Sequence, residues 1–297
     1  MTIRTILRRA MAALGLAATT MAAPAAAQTA RPALWKVSDP DTTIYLFGTI
    51  HLLPKGTDWK SAEVDRAIGA SSELVVETII DEKNPAAILG DLMKLGVSPG
   101  LPPLIERVPP AKRDRLKQLI AKTGAPENAF DAFETWTASL MLLGPQMKDY
   151  GLDSKSGVES NLKASFEVAG KKIGQLETNA EQFGFFDKLP EEAQRTFLEG
   201  ILDDQGQSKK TLESMISAWS SGDVVAIGKA FNEEMNDEPA LKAALLDQRN
   251  ANWTRWIAGR LQQPGTVLVA VGAGHLAGDT SVVRMLEQRG LKVTRLQ

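Results

Sequence analysis

The chain has 297 residues, no cysteine, and 34 lysines and arginines against 36 aspartates and glutamates. The lack of cysteine excludes cysteine proteases, thiol redox enzymes and metal sites built from thiolates. The slight acidic excess argues against nucleic acid or an anionic membrane surface as a partner. A chain of this length can bury a full hydrophobic core, either as one domain or as one domain with a large insertion.

The first 27 residues have the pattern of a secretory signal peptide. Three arginines precede a short apolar stretch, and small residues at 25–27 give a cleavage site before Gln28. The stretch is short for a membrane-spanning helix, and no later segment is long and apolar enough to replace it. We therefore expect a periplasmic or secreted protein of a Gram-negative bacterium. Its mature domain would comprise residues 28–297, with no stable membrane span after cleavage.

Strand and helix signals follow directly after the predicted signal. Two β-prone runs at 34–37 and 42–47 flank a cluster of turn residues, and this pattern predicts a β-hairpin. A helix over about 59–70 and a short apolar strand over 73–77 come next. Strand, helix and strand of these lengths predict a βαβ unit, in which the two strands are parallel.

The middle of the chain is different. Residues from about 85 to 262 are almost entirely helix-like, and a single strand interrupts them at 172–176. The β-pattern resumes at 267–271, and a helix at 281–289 and a strand at 291–296 complete the chain. We predict an α/β fold, or α+β by count. It would combine a small, mostly parallel β-sheet, an N-terminal hairpin and a large helical insertion.

The only two histidines close the same four-residue pattern, a glycine followed three positions later by histidine. One runs from Gly48 to His51 after the second predicted strand, and the other runs from Gly272 to His275 after the strand at 267–271. Glycine permits a tight exit from a strand, and histidine is the usual ligand or proton carrier at neutral pH. Ligands of open α/β sheets bind beyond the carboxyl ends of the strands. We therefore expect both corners to converge on one site.

Two further predicted parallel strands end in glutamates, Glu77 and Glu177. Two imidazoles and two carboxylates at one edge suit a catalytic divalent metal, or acid–base hydrolysis without a metal. Glu77 follows a fully apolar run, where a carboxylate without a partner is costly. Arg249 is predicted to precede a helix, where it could bind an oxyanion or form a surface ion pair.

Each candidate also has a purely structural interpretation. A histidine after a strand is often a turn residue that bonds to local backbone, although two matched corners make this less attractive. The six tryptophans are better explained by helix packing than by a cofactor site. The sequence has no Gly-x-Ser-x-Gly elbow, phosphate-binding P-loop, complete dinucleotide fingerprint or His-Glu-x-x-His zinc helix.

Taken together, these motifs resemble the TraB/GumN family, which is related to the animal Tiki proteins. The resemblance covers essentially the whole mature chain, and the segments that carry it are 34–37, 45–52, 74–77, 151–153, 176–178, 181–182, 222–223 with Trp219, 249–250 and 271–276. One segment departs from the family pattern. After 151–153 the family often continues with an aromatic residue or histidine, whereas 154–157 here reads Ser-Lys-Ser-Gly. This departure predicts a changed contact on the substrate side.

The resemblance implies a fold shared with erythromycin-esterase-like and haem-binding ChaN-like proteins. It also implies an active site built from the paired Gly-x-x-His motifs, with a glutamate and an arginine nearby. Tiki members are metal-dependent proteases that use manganese or cobalt. Carried over residue by residue, His51, Glu77 and His275 match the family site, and Arg249 matches the family arginine.

We therefore expect an exported metal-dependent hydrolase, with a peptidase as the first choice, acting on a peptide or another small substrate of the cell envelope. His51, His275 and Glu77 would bind a divalent ion, namely manganese, cobalt or zinc. Glu177 would be a second ligand or general base, and Arg249 would stabilise the developing oxyanion.

Three other functions remain open at this point. One is a non-catalytic periplasmic protein that sequesters a peptide, haem or a saccharide, with the GumN name suggesting a link to exopolysaccharide production. The second is an esterase that needs no metal, and the third is a degenerate family member with a structural role in envelope assembly. The sequence does not specify the substrate, the metal or the oligomeric state.

Overall fold

The structure is a computed structural model that describes residues 30–79, 85–203, 205–235 and 239–297. The predicted signal peptide at 1–27 lies outside these residues. Within the described ranges, no helix is both long enough and apolar enough to cross a membrane.

A six-stranded, mostly parallel sheet lies at the centre of the α/β fold, and a two-stranded sheet accompanies it. The strands in the described part of the chain are β1 Leu34–Ser38, β2 Thr42–Thr49, β3 Leu53–Pro54, β4 Glu73–Val76, β5 Leu152–Asp153, β6 Lys172–Gln175, β7 Gly265–Gly272 and β8 Val293–Arg295. The large sheet has the order β6-β4-β7-β2-β1-β8. Its four strands β6, β4, β7 and β2 are parallel, whereas β1 runs antiparallel to both of its neighbours.

The predicted hairpin and βαβ unit are both present. Strands β1 and β2 are antiparallel, and Asp39 Oδ1 accepts the backbone N–H of Thr42 in the turn between them. The helix before β4 begins at Ala62, later than predicted, because the side chain of Ser61 caps it by accepting the backbone N–H of Val64. Trp59, which was expected inside this helix, instead lies buried ahead of it.

Helices surround the sheet, and most of them lie in the chain between β4 and β7. They are α1 Ala62–Ala70, α2 Pro85–Leu95, α3 Pro110–Lys122, α4 Thr135–Asp149, α5 Val158–Val168, α6 Asn179–Asp187, α7 Glu191–Ile201, α8 Gln205–Ser220, α9 Val224–Met235, α10 Pro239–Lys242, α11 Gln248–Arg260 and α12 Val282–Gln288. A π-helical turn at Ala243–Asp247 joins α10 to α11. The two-residue strands β3 and β5, which the sequence does not predict, pair Leu53 with Asp153.

Alternate side chains of the central strands enter two separate hydrophobic cores, as expected for strands buried on both faces. On one face, Phe47, Val76 and Leu268 pack with α1 and α5. On the other face, Leu46 and Val269 pack with α11 and α12. The insertion has a further core of its own, which includes Leu116, Leu142 and Leu198.

The register of the parallel strands brings their carboxyl ends to one edge of the sheet. Thr49 at the end of β2 pairs with Gly272 at the end of β7. Val76 at the end of β4 pairs with Ala270 of β7 and with Gln175 at the end of β6. The segments that carry both Gly-x-x-His motifs and both predicted glutamates therefore leave the sheet on the same side.

Candidate active site

Four of the five predicted site residues line one cavity of about 470 Å³ beyond the carboxyl edge of the sheet. They are His51, Glu77, Arg249 and His275. The fifth, Glu177, lines a neighbouring cavity of about 660 Å³ and contacts the first site through Arg249. The structure therefore brings all five predicted residues into one cluster, with Glu177 behind the guanidinium.

The two glycine corners pack directly against each other. A Cβ atom built on Gly48 would lie 3.2 Å from the Cα atom of Ala273. Trp219 fixes the first corner, because its Nε1–H donates to the carbonyl oxygen of Gly48 at 2.8 Å. Glycine at position 48 thus permits the close approach of the two Gly-x-x-His segments.

Gly272 lies between the two histidines and Glu77. A Cβ atom built there would be 3.2 Å from Glu77 Oε1, 3.5 Å from His275 Cδ2 and 3.9 Å from His51 Nε2. The backbone N–H of Gly272 donates to Glu77 Oε1 at 2.7 Å. The space that a side chain would fill at position 272 is therefore the point that the three predicted ligands share.

Arg249 connects the two glutamates. Its Nη2 lies 2.7 Å from Glu77 Oε2 and 2.9 Å from Glu177 Oε2. Its Nε lies 3.0 Å from each carboxylate oxygen of Glu177. Nη1 makes the two longest contacts, 3.3 Å to the carbonyl oxygen of Leu245 and 3.2 Å to His275 Nε2. Each guanidinium nitrogen thus has an acceptor, and the single positive charge of Arg249 is shared between two buried carboxylates.

Arg249 lies inside a helix rather than ahead of one, which corrects the sequence prediction. Residues 239–260 form one helical run, interrupted by the π-helical turn just before Arg249. Such turns insert one extra residue, and they recur at functional sites. Here the turn directs consecutive residues, Arg249 and Asn250, toward His275.

The charges of the cluster shift the pKa values of both glutamates. Burial would raise the pKa of Glu77, but the positive charges of His275 in its protonated form, Arg249 and His51, together with the Gly272 N–H, lower it to about 2. Burial raises the pKa of Glu177, and Arg249 partly opposes this shift. Glu77 is therefore ionised at neutral pH.

His275 is buried and held by Asn250. Its Nδ1 lies 2.6 Å from Asn250 Oδ1, while Asn250 Nδ2 donates to the carbonyl oxygen of Thr280 at 2.8 Å. This arrangement places the proton of the imidazole on Nδ1 and leaves the Nε2 lone pair facing Arg249. Burial lowers the pKa of His275 to about 3, so the ring is neutral at pH 7. The indole ring of Trp253 packs on it, with ring centroids 4.3 Å apart.

His51 has the opposite environment. Its Nδ1 lies 2.7 Å from Glu159 Oε1, and 63% of its side chain is exposed. The Thr49 hydroxyl donates to the same carboxylate oxygen. The charge of Glu159 raises the pKa of His51 from 6.5 to about 9. Nδ1 is engaged by Glu159, so Nε2 is the nitrogen left for chemistry in the cavity.

Three further residues belong to the site although the sequence does not predict them there. Glu159 lies in the first turn of α5 and belongs to no motif, so it carries no signal in the sequence. Asn250 follows Arg249 within a segment that matches the family, and this is the signal that could have identified it. Trp253, interpreted above as a packing residue, is buried as expected but also donates from Nε1 to Glu177 Oε1 at 2.9 Å.

The donor set can be compared with the needs of a divalent metal. Two imidazole Nε2 atoms and a carboxylate suit such an ion, and each imidazole is oriented by an oxygen at Nδ1, as metal-binding histidines are. However, Arg249 contacts both Glu77 and His275, and no group of three or more acidic or histidine side chains within the described ranges forms a ready metal cage. The donor types fit a metal, and the bound ion remains a prediction.

Comparison with known proteins places these features in a family. The sequence profile of the TraB/PrgY/gumN family matches residues 33–295. The uncharacterized protein YbaP of Escherichia coli (strain K12) is 24% identical over 192 residues, which cover 63% of this chain and 69% of YbaP. An uncharacterized protein of Treponema pallidum (strain Nichols) is 23% identical over 279 residues, which cover 86% of this chain and 80% of that protein. No solved structure gives a significant match.

Proposed function

The chain belongs to the TraB/PrgY/gumN family, and from this membership and its site we propose that it is an exported hydrolase of peptide bonds. One observation carries the proposal. His51 Nε2, His275 and Glu77 Oε1 surround the point beside Gly272, at the charged end of an otherwise apolar cavity. A cavity with a few convergent polar groups and perturbed pKa values is the usual form of an active site.

His51 is the proposed proton carrier. Glu159 orients the ring through Nδ1, and Nε2 is the nitrogen that takes a proton from water as the water oxygen bonds to the substrate carbonyl carbon. The same nitrogen then gives that proton to the departing amine nitrogen as the C–N bond breaks. Because Glu159 raises the pKa of His51, the neutral, basic form of the ring increases as the pH rises above neutrality.

Arg249 is proposed to stabilise the oxyanion through Nη1. The other guanidinium nitrogens are held at 2.7 to 3.0 Å by Glu77 and Glu177, whereas the two Nη1 contacts are the longest. Exchanging one of those acceptors for a developing oxyanion therefore costs the least. Glu177 is directed at Arg249 and Trp253, which favours a role in holding the guanidinium over the role of a general base.

His51, His275 and Glu77 would hold a divalent ion, which would acidify a bound water toward neutral pH. An imidazole nitrogen has one lone pair, so the roles of His51 as proton carrier and of His275 as acceptor for Nη1 of Arg249 belong to the site without an ion, whereas Glu77 balances the guanidinium charge in either case. Export to the periplasm or outside the cell is proposed from the signal-like residues 1–27.

The test compares the protein, produced from its full chain and purified after export, with its His51→Ala and His275→Ala variants. Each is incubated with a mixture of short peptides, with and without added manganese, cobalt or zinc, and products are identified by mass spectrometry. We expect each variant to lose at least 100-fold in rate while its melting temperature changes little.

Elemental analysis of the same preparations tests the metal. About one ion per chain in the wild type, absent from a variant that carries both His51→Ala and His275→Ala, would support the predicted ligands. Equal peptide cleavage by wild type and both variants would overturn the proposal. Tight binding of a peptide, haem or a saccharide that stays intact would favour sequestration instead.

A further inference from the structure

The cavity has one charged end and a long apolar remainder. Its apolar walls come from several helices of the insertion, and they include Leu140, Met147, Phe183, Phe186, Leu212 and Met215. These side chains line the cavity and are only half-buried, so part of their apolar surface remains open. Apolar surface of this kind, next to convergent polar groups, is typical of a pocket that binds an apolar ligand.

Resting on the proposed function, we infer that this cavity selects peptides with large, uncharged apolar side chains next to the bond that is cleaved. The chemical class is that of leucine, methionine and phenylalanine. The apolar group would enter among the helices α4, α6 and α8, while the scissile carbonyl lies beside Gly272 at the charged end.

The charges of the cavity support this class. Among its described lining residues, His51, Glu77, Arg249 and His275 are the titratable ones, and they cluster at the charged end. Glu77 and Arg249 already neutralise each other at 2.7 Å. A lysine or aspartate side chain placed among the apolar walls, away from the charged end, would lose its hydration without gaining a partner, which is strongly unfavourable.

The volume of the cavity indicates that it can hold more than one side chain of the peptide. About 470 Å³ lies within the range of pockets that hold drug-sized ligands, roughly 300 to 1,000 Å³. The cavity can therefore take two adjacent apolar side chains. Met147 and Met215 in the walls are flexible, so the same walls adapt to branched and aromatic groups.

The experiment uses two methionines of the same helix. Met147 lines the cavity, whereas Met141, also in α4, is 39% exposed and does not line it. Met147→Asp puts a charge into the proposed binding surface, and Met141→Asp puts the same charge on the outside. Two properties are measured for wild type and both variants: cleavage of peptides that differ only in the residues flanking the scissile bond, and fluorescence of the neutral apolar probe N-phenyl-1-naphthylamine.

We expect wild type and Met141→Asp to cleave peptides with leucine, methionine or phenylalanine at the site at least tenfold faster than those with aspartate or lysine. Met147→Asp should lose at least tenfold on the apolar peptides and should bind the probe more weakly. Cleavage by wild type without such a preference would overturn the inference and leave the hydrolase proposal intact.

Binding of the probe tests the selectivity for apolar groups even if the protein cleaves no peptide. Probe binding that apolar peptides displace and Met147→Asp weakens, without any cleavage, would support the selectivity while the hydrolase proposal fails. Equal probe binding and equal peptide selectivity in wild type and Met147→Asp would overturn the inference.

Discussion

Nδ1 of His51 lies 2.7 Å from Oε1 of Glu159, so a helix of the insertion orients the first Gly-x-x-His motif. The backbone strengthens this connection, because the N–H of Val158 donates to the carbonyl oxygen of Ile50 at 3.0 Å. The second oxygen of Glu159, Oε2, is buried and has no hydrogen-bond partner within the described structure. The carboxylate is therefore committed to His51 and Thr49.

Glu159→Gln should lower the pKa of His51 toward its ordinary value of 6.5, because the amide keeps the shape of the side chain but loses its charge. Activity should fall about 10- to 100-fold, the usual cost of losing an orienting partner, and its pH profile should move to lower pH. The pKa of His51 can be measured by NMR titration, because the chain has only two histidines whose signals must be told apart.

The matched control is Glu167→Gln, at an exposed position of the same helix α5. Neither the titration of His51 nor the pH profile should move in that variant. Because 63% of the His51 side chain is exposed, water screens part of the pairing, and the prediction concerns the direction of the shift. An unchanged His51 titration in Glu159→Gln would contradict the pairing.

The two histidines should give stability opposite dependences on pH. The pKa of His275 is lowered from 6.5 to about 3 in the folded protein. Its contribution to the free energy of unfolding is therefore present above pH 6.5 and is lost as the pH falls from 6.5 toward 3. The pKa of His51 is raised from 6.5 to about 9 in the folded protein. Its contribution to the free energy of unfolding is therefore present below pH 6.5 and is lost as the pH rises from 6.5 toward 9.

The free energy of unfolding, measured in urea from pH 4 to pH 8, tests this contrast. Below pH 6.5, His275→Gln should reduce the slope of the free energy of unfolding against pH by up to about 1.4 kcal/mol per pH unit, which is the limit for one proton. His51→Gln should instead reduce the loss of stability on the alkaline side. Parallel curves for wild type and His275→Gln between pH 4 and 6.5 would contradict a buried, neutral imidazole.

Arg249→Gln should destabilise the fold by about 3 to 5 kcal/mol, because it leaves Glu77 and Glu177 buried without their cation. The control is Arg284→Gln, which breaks the exposed pair with Glu287 and should cost less than about 1 kcal/mol. Both are measured by urea unfolding at pH 7. Similar losses in the two variants would show that the Arg249 cluster contributes no more than a surface ion pair.

Gly157→Ala should displace His51. A Cβ atom at position 157 would lie 2.0 Å from the carbonyl oxygen of His51, so the backbone of the first motif must move. We expect a loss of about 1 to 3 kcal/mol and an altered His51 titration. Gly200→Ala, in helix α7 with no atom within 4 Å of the added Cβ, should stabilise by up to about 1 kcal/mol. An unaltered His51 signal in Gly157→Ala would refute the predicted displacement.

The sheet and four residues of the site are predictable from the sequence, because each of them depends on a local pattern. Buried parallel strands read as short apolar runs, and the residues that follow them must leave at the same edge. This pattern predicts the position of four site residues, namely His51, Glu77, Glu177 and His275. The short strands β3 and β5 are not predictable, because two residues are too few to show any periodicity.

The remaining site residues depend on tertiary placement. Glu159 meets His51 only because α5 packs beside the end of β2, and nothing near position 159 in the sequence indicates this. Arg249 is predicted ahead of a helix, whereas the helical run continues through the π-helical turn at Ala243–Asp247 and includes it. The segment 154–157, which departs from the family pattern, forms a tight turn whose Gly157 packs on the His51 backbone.

The π-helical turn at Ala243–Asp247 also has a consequence for any shortened version of the chain. Each residue of an α-helix turns the chain by about 100°. Deleting one residue there would let the helix continue with regular geometry, and it would rotate Arg249 and Asn250 away from their partners. The shortened helix would be better formed, and the guanidinium would leave the cavity. One extra residue thus gives up helix regularity for the orientation of two side chains that hold the buried cluster together.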